Sequence, residues 1–291
     1  PILIDGDTPV KCRVLGEDAD GQKMAKAKRI EEHMSYQILE EDEGWEQEMD
    51  KVLITQPIVG CAFKKTYYDP LKRIVISENI LARDLVVNYW AKSLEDAPRI
   101  SHVMYFSRND VHERVTRELW HDIRDGGGPK ADPYNKLEEA KDKAQGLLKP
   151  QATDSSTPYM VIEQHCLLDL DHDGYAEPYI VLVRSDTKRV ARIVPRFFSQ
   201  NVEVNSKDEI LRITPEQYFT KYPLVPSPDG GFYDLGFGVL LGPLNESINT
   251  IINQLIDAGT MANTAGGFLS RGIKLRGGNY TFAPLEWKHV D

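Results

Sequence analysis

Asp169, Asp171 and Asp173 stand at alternate positions ahead of Gly174 in the stretch CLLDLDHDGYAEPY, residues 166–179. Alternating carboxylates followed by a glycine match the first half of a calcium loop, D-x-[DN]-x-[DN]-G, where the acids supply oxygen ligands and the glycine a sharp bend. That loop is completed by a bidentate glutamate at its twelfth position, and the twelfth residue here is Ile180. Helices should flank it, yet both flanks read as strands. The same residues have a local use: aspartates in a hairpin turn cap their own backbone, and Gly174 supplies a positive φ. The turn reading implies no dedicated metal site. The alternative is a calcium-dependent binding module built on DLDHDG.

Other constellations are incomplete. His112-Glu113-Arg114-Val115-Thr116 opens like the zinc motif H-E-x-x-H but has Thr116 in place of the second histidine, so two ligands cannot share a helix face. Gly236-Phe237-Gly238 precedes a helical pattern, but the third glycine of a dinucleotide fingerprint would fall at Leu241. Neither a G-x-S-x-G elbow nor a phosphate loop is present. Cys12, Cys61 and Cys166 are far apart, odd in number and without metal spacing, which points to buried free thiols. The seven histidines are scattered and read as structural or surface residues. These patterns argue against an enzyme and for no cofactor. A hydrolase with an unfamiliar site would betray itself as a deep pocket holding convergent polar groups.

The positioning elements follow from periodicity. Val10 to Leu15 alternates like a strand, and Ala19 to Glu41 has helical spacing at Ala27, Ile30, Met34 and Ile38. A second helix starts near Trp45 and closes at Pro57 and Gly60. Cys61–Tyr68 and Arg73–Ser77, joined by Asp69-Pro70, form a hairpin. Ile100–Phe106 is a strand, and Ser107 with Asp110 caps a helix expected to reach Trp120. A weakly apolar helix, NKLEEAKDKAQGLL, lies between DGGGP and KPQATDSSTP. Three short strands over 159–194 make a meander. The strap YPLVPSPDGGFYDLG suits neither a long helix nor a central strand. The longest helical pattern then covers 237–263, with Pro243 expected to kink it or mark its start. Leu244, Ile248, Ile251, Ile252, Leu255 and Ile256 form its apolar stripe, beside a column of Asn245, Asn249, Asn253 and Asp257 at four-residue steps.

The chain has 291 residues, 41% of them hydrophobic and 27% charged, which suits one large or two modest soluble domains. No apolar run reaches the roughly 20 residues that span a bilayer, and the opening residues PILIDGDTPV lack the features of a signal peptide. An intracellular protein is expected. The net charge of -10 opposes tight wrapping of nucleic acid, because that affinity comes from cations on phosphates. Seven acids crowd into Glu40–Asp50, which reads as a solvated helix end.

Tyr222 to Gly272, with its proline strap, Gly236-Phe237-Gly238, asparagine-columned helix and small-residue exit, resembles the portal proteins of tailed double-stranded DNA phages, in particular the short-tailed type. PIVGCAFKKTYYDP resembles their wing hairpin, LARDLVVNYWAKSLEDAPRISHVMYFSRNDVHERV the segment after it, and VIEQHCLLDLDHDGYAEPYIVLV the β-rich clip with its aspartate turn. The likeness covers nearly the whole chain. It implies an α+β portal fold: wing at 1–128, first stem helix and linker at 129–157, clip at 158–213, strap at 214–235, second stem helix at 236–263, channel loop and return to the wing at 264–291. It also implies a homo-oligomeric ring, usually a dodecamer, through which double-stranded DNA is packaged and ejected. Implied partners are the terminase large subunit, head completion or tail adaptor proteins, and capsid and scaffold proteins, with no membrane. The implied location is the portal vertex of the virion, and the host cytoplasm during assembly. Subunit contacts would fall on Leu244, Asn245, Ile248, Asn249, Ile252, Asn253 and Ile256, and the channel loop on Asn263, Thr264, Gly266, Gly267 and Arg271. The lack of an initial methionine and of crown or barrel sequence leads to the expectation of a fragment.

Overall fold

The computed structural model describes residues 9–18, 20–125, 127–129, 136–146, 156–205 and 210–263, with the side chains of 136–138 and 263 outside that description. The expected channel-loop residues Thr264, Gly266, Gly267 and Arg271, and the side chain of Asn263, therefore lie outside the described residues.

The chain is α+β. Helices α1 (Gln22–Tyr36) and α2 (Trp45–Val59), linked by a π-helical turn at Gln37–Glu41, precede the hairpin β1 (Cys61–Asp69) and β2 (Ile74–Ile80). Then come β3 (Leu85–Val87), β4 (Arg99–Phe106), α3 (Arg108–Thr116), α4 (Lys136–Gln145) and the meander β5 (Tyr159–Leu168), β6 (Glu177–Arg184) and β7 (Val190–Pro195). A small hairpin, β8 (Val202–Val204) and β9 (Ile210–Ile213), the strand β10 (Phe219–Pro223) and the helix α5 (Phe237–Asn263) complete it. Beside the two-stranded β8-β9 pair, the described strands form two larger antiparallel sheets, in the orders β10-β1-β2 and β3-β4-β5-β6-β7.

The larger sheet runs across the expected boundary between wing and clip. β4 pairs with β5 from Arg99↔Cys166 to Phe106↔Tyr159, so the meander continues a sheet that starts at β3. Period-two burial explains why: the inward residues of β4 and β5 build one continuous face with Ile180 and Leu182 of β6, and neither half could bury it alone. Phe63, Leu85, Ile100 and Phe219 form one core between the sheets, and Val111, Trp120, Ile123 and Val161 another beneath α3.

Several local expectations need correction. Residues 10–15 form no strand, and no partner strand lies alongside among the described residues; Cys12 instead donates its N–H to the Glu31 carboxylate at 3.1 Å. α3 keeps its Ser107/Asp110 capping box but stops at Thr116. Glu118 turns into the left-handed region at φ 58°, and Leu119 and Trp120 donate back to Arg114 O, which drops the Trp120 ring edge-on against Phe106 at 5.0 Å. Pro243 does not mark the start of α5, which begins six residues earlier.

The acidic run also does more than face water. Asp42 accepts the N–H of Ser77 at 3.1 Å and Glu48 that of Asn79 at 2.8 Å. Those outward donors belong to the open edge of β2, so two of the acids close an edge that would otherwise be free to pair.

Gly60 and Gly236 set where α5 leaves the body. Gly60 ends α2 at φ 104°, and a Cβ on it would collide with Asp234 O and Leu235 C, while one on Gly236 would collide with Gly60 N and Ile58 O. Both neighbours are backbone and cannot swing aside. Gly236→Ala is expected to lower stability by about 3 kcal/mol, the upper end of overpacking, as urea unfolding would measure.

Candidate functional site

α5 is the longest of the described helices. From Phe237 to Ala262 each residue is exposed except the half-buried Gly242. Eleven large apolar side chains are among them, including Leu244, Ile248, Ile252 and Ile256, with relative exposures from 44% to 77%. α2 packs against the first turns, where Gly238 passes Ile58 O, and α4 stands as exposed as α5 without packing appreciably on it. Asn245, Asn249, Asn253 and Asp257 are exposed. Covering what remains exposed of the eleven side chains is worth on the order of 10 kcal/mol per helix. Among the described residues no helix is long and apolar enough to cross a membrane.

The aspartate cluster sits at the β5–β6 turn. One carboxylate oxygen from each of Asp169, Asp171 and Asp173 lies within 4.8 Å of the others. Asp169 accepts the Gly174 N–H at 3.1 Å and Asp173 that of Tyr175 at 2.7 Å, while Asp171 takes only a 3.4 Å contact from Asp173 N. Gly174 has φ 93°, and His172, which the sequence did not single out, φ 63°. Ile180, at the twelfth position, is a buried core residue of β6 and supplies no ligand. The turn is self-capped. Asp171→Ala is expected to change stability by less than about 0.5 kcal/mol, and millimolar calcium should leave the melting temperature of the parent chain where it was.

A third locus was not foreseen. Lys65 of β1 crosses from the smaller sheet to Glu163 of β5, its Nζ 3.0 Å from Oε2 and 2.9 Å from Oε1. His165 Nε2 donates to Glu163 Oε1 at 2.9 Å, and its ring lies 4.7 Å from that of Phe219. All three are buried. Burial pushes the Glu163 carboxyl up, but Lys65 and His165 outweigh it and hold the group well below the carboxylate range. Burial keeps His165 neutral against the pull of Glu163, and drives His102 down to about 4 with help from Lys65. Around this trio a cavity of 610 Å³ opens between the sheets. Tyr67, Glu78, Arg114, Arg192 and Trp120 also line it, and no serine, threonine or cysteine does among the described residues. Only the period-two placement of Glu163 and His165 on one strand face was visible in sequence. Nothing local in it pairs them with a lysine 98 residues away.

No protein-family model matches the chain, and no curated protein does.

Proposed function

We propose that the chain is a non-enzymatic structural subunit that assembles through α5 into a closed ring of the portal type, a conduit for double-stranded DNA at a capsid vertex. The observation that carries this reading is the 27-residue helix whose apolar side chains stand largely exposed among the described residues. A head-to-tail ring joins different patches on adjacent copies, and so suits a helix exposed around its whole circumference. Leu244, Ile248, Ile252 and Ile256 would lie in the subunit contact, with Asn245, Asn249 and Asn253 along its polar margin. The net charge of -10 fits a channel that DNA slides through, since 45 acidic side chains outnumber 35 basic ones and oppose a tight hold on phosphates. Docking of terminase, head completion or tail adaptor proteins, and of capsid and scaffold proteins, follows from the sequence resemblance alone, as does residence at the virion vertex.

A calcium-dependent module is the weaker reading, because two of its three carboxylates already cap backbone N–H groups. A hydrolase finds no serine, threonine or cysteine nucleophile among the described cavity residues. Native mass spectrometry separates these. A dominant species at a whole-number multiple of 33.0 kDa is expected, and a single-chain mass at every concentration would overturn the ring.

A further inference from the structure

Ring assembly has no use for a cavity of 610 Å³ in the body of each subunit, and its charged lining is only half engaged. Lys65 and Glu163 hold each other, and Asp69 accepts the Leu71 N–H at 2.8 Å. Among the described residues Glu78, the Tyr67 hydroxyl and Arg192 have no hydrogen-bond or ionic partner, although all three line the cavity. Arg114 lies with its guanidinium 4.8 Å from the Phe106 ring and 5.4 Å from Trp120, and donates one N–H to Asp110 O at 3.2 Å. Stacking fixes the plane of that fork while leaving other donors available.

We propose that this cavity binds a small molecule carrying an oxyanion, a carboxylate or a phosphate, on a flat apolar body, with Arg114 and Arg192 gripping the anion. Its volume falls within the range of small-molecule sites. Phe106, Trp120, Leu182 and Val194 supply apolar wall for the body. A cationic ligand would meet Lys65, Arg114 and Arg192 together, with Glu78 as the one uncommitted carboxylate. An anion meets two guanidinium groups and a phenol donor, and charge-assisted forks of this kind are the strong ones.

Glu78 couples the site to protons. Burial pushes its carboxyl up despite Lys65 opposite it on β1, with Glu163, Glu48 and Asp69 adding to the rise and the Tyr67 phenol nearby. An incoming anion favours its neutral form, so affinity falls as pH rises through the Glu78 pKa.

Calorimetry on the assembled protein tests this, with benzoate at a series of pH values at which it stays ionised and with inorganic phosphate at one fixed pH. One probe or the other is expected to bind once per chain, and which one does so identifies the source of the oxyanion. Arg192→Gln, at an exposed position, and Arg114→Gln should each weaken binding about tenfold or more, and Glu78→Gln should flatten the fall of benzoate affinity with rising pH. Absence of binding by both probes overturns the proposal. So does binding that neither arginine substitution weakens.

Discussion

An Ile252→Asp chain is expected to fold like its parent and to fail in assembly. In the single chain Ile252 is 46% exposed, so an aspartate there meets water and leaves the body untouched. Against a neighbouring subunit the same carboxylate would be buried without a partner, at a cost of several kcal/mol. A closed ring repeats that cost in every subunit. Sedimentation velocity should therefore show 33.0 kDa chains in place of the assembled species, with an unchanged melting temperature for the free subunit. Persistence of the assembly at the parental concentration would remove Ile252 from the contact.

Lys65→Met is expected to lower stability by about 3–5 kcal/mol, because it leaves Glu163 charged, buried and without its cation. Urea unfolding measures the loss. The double substitution Lys65→Met with Glu163→Leu should recover much of it, since an apolar pair of similar bulk needs no desolvated charge. The same cluster sets the acid limit of the fold. His102 takes a proton near 6.5 when unfolded but only at about 4 when folded, so stability is full above pH 6.5 and declines as pH falls towards 4. Glu163, held low, adds a further loss below the ordinary carboxylate range. His102→Asn should flatten the first of these declines.

What could be read in the sequence was whatever depends on neighbours along the chain. The β1–β2 hairpin, the meander, the capping box at Ser107 and the bounds of α5 all follow from local periodicity and turn chemistry, and all appear. The aspartate turn was legible because its carboxylates bond to amides two to five residues away. The pairing of β4 with β5 was not, because 52 residues separate those strands and alternation does not name a partner. Nor was the role of Asp42 and Glu48 on the β2 edge, since an acid bound to a distant amide looks the same in sequence as a solvated one. Lys65, Glu163 and Glu78 belong to the same class. Each sits at an inward strand position where an apolar residue is the default, and only the opposing sheet explains the exception.

The cover proposed for α5 is copies of the same chain arranged about a pore. Electron-microscopic class averages of the purified protein test it most directly. Closed rings of one symmetry, with α5 packed between adjacent subunits around the central opening, are the predicted result. Isolated particles the size of one chain, or paired chains joined through the sheets while α5 points away into solvent, would contradict it.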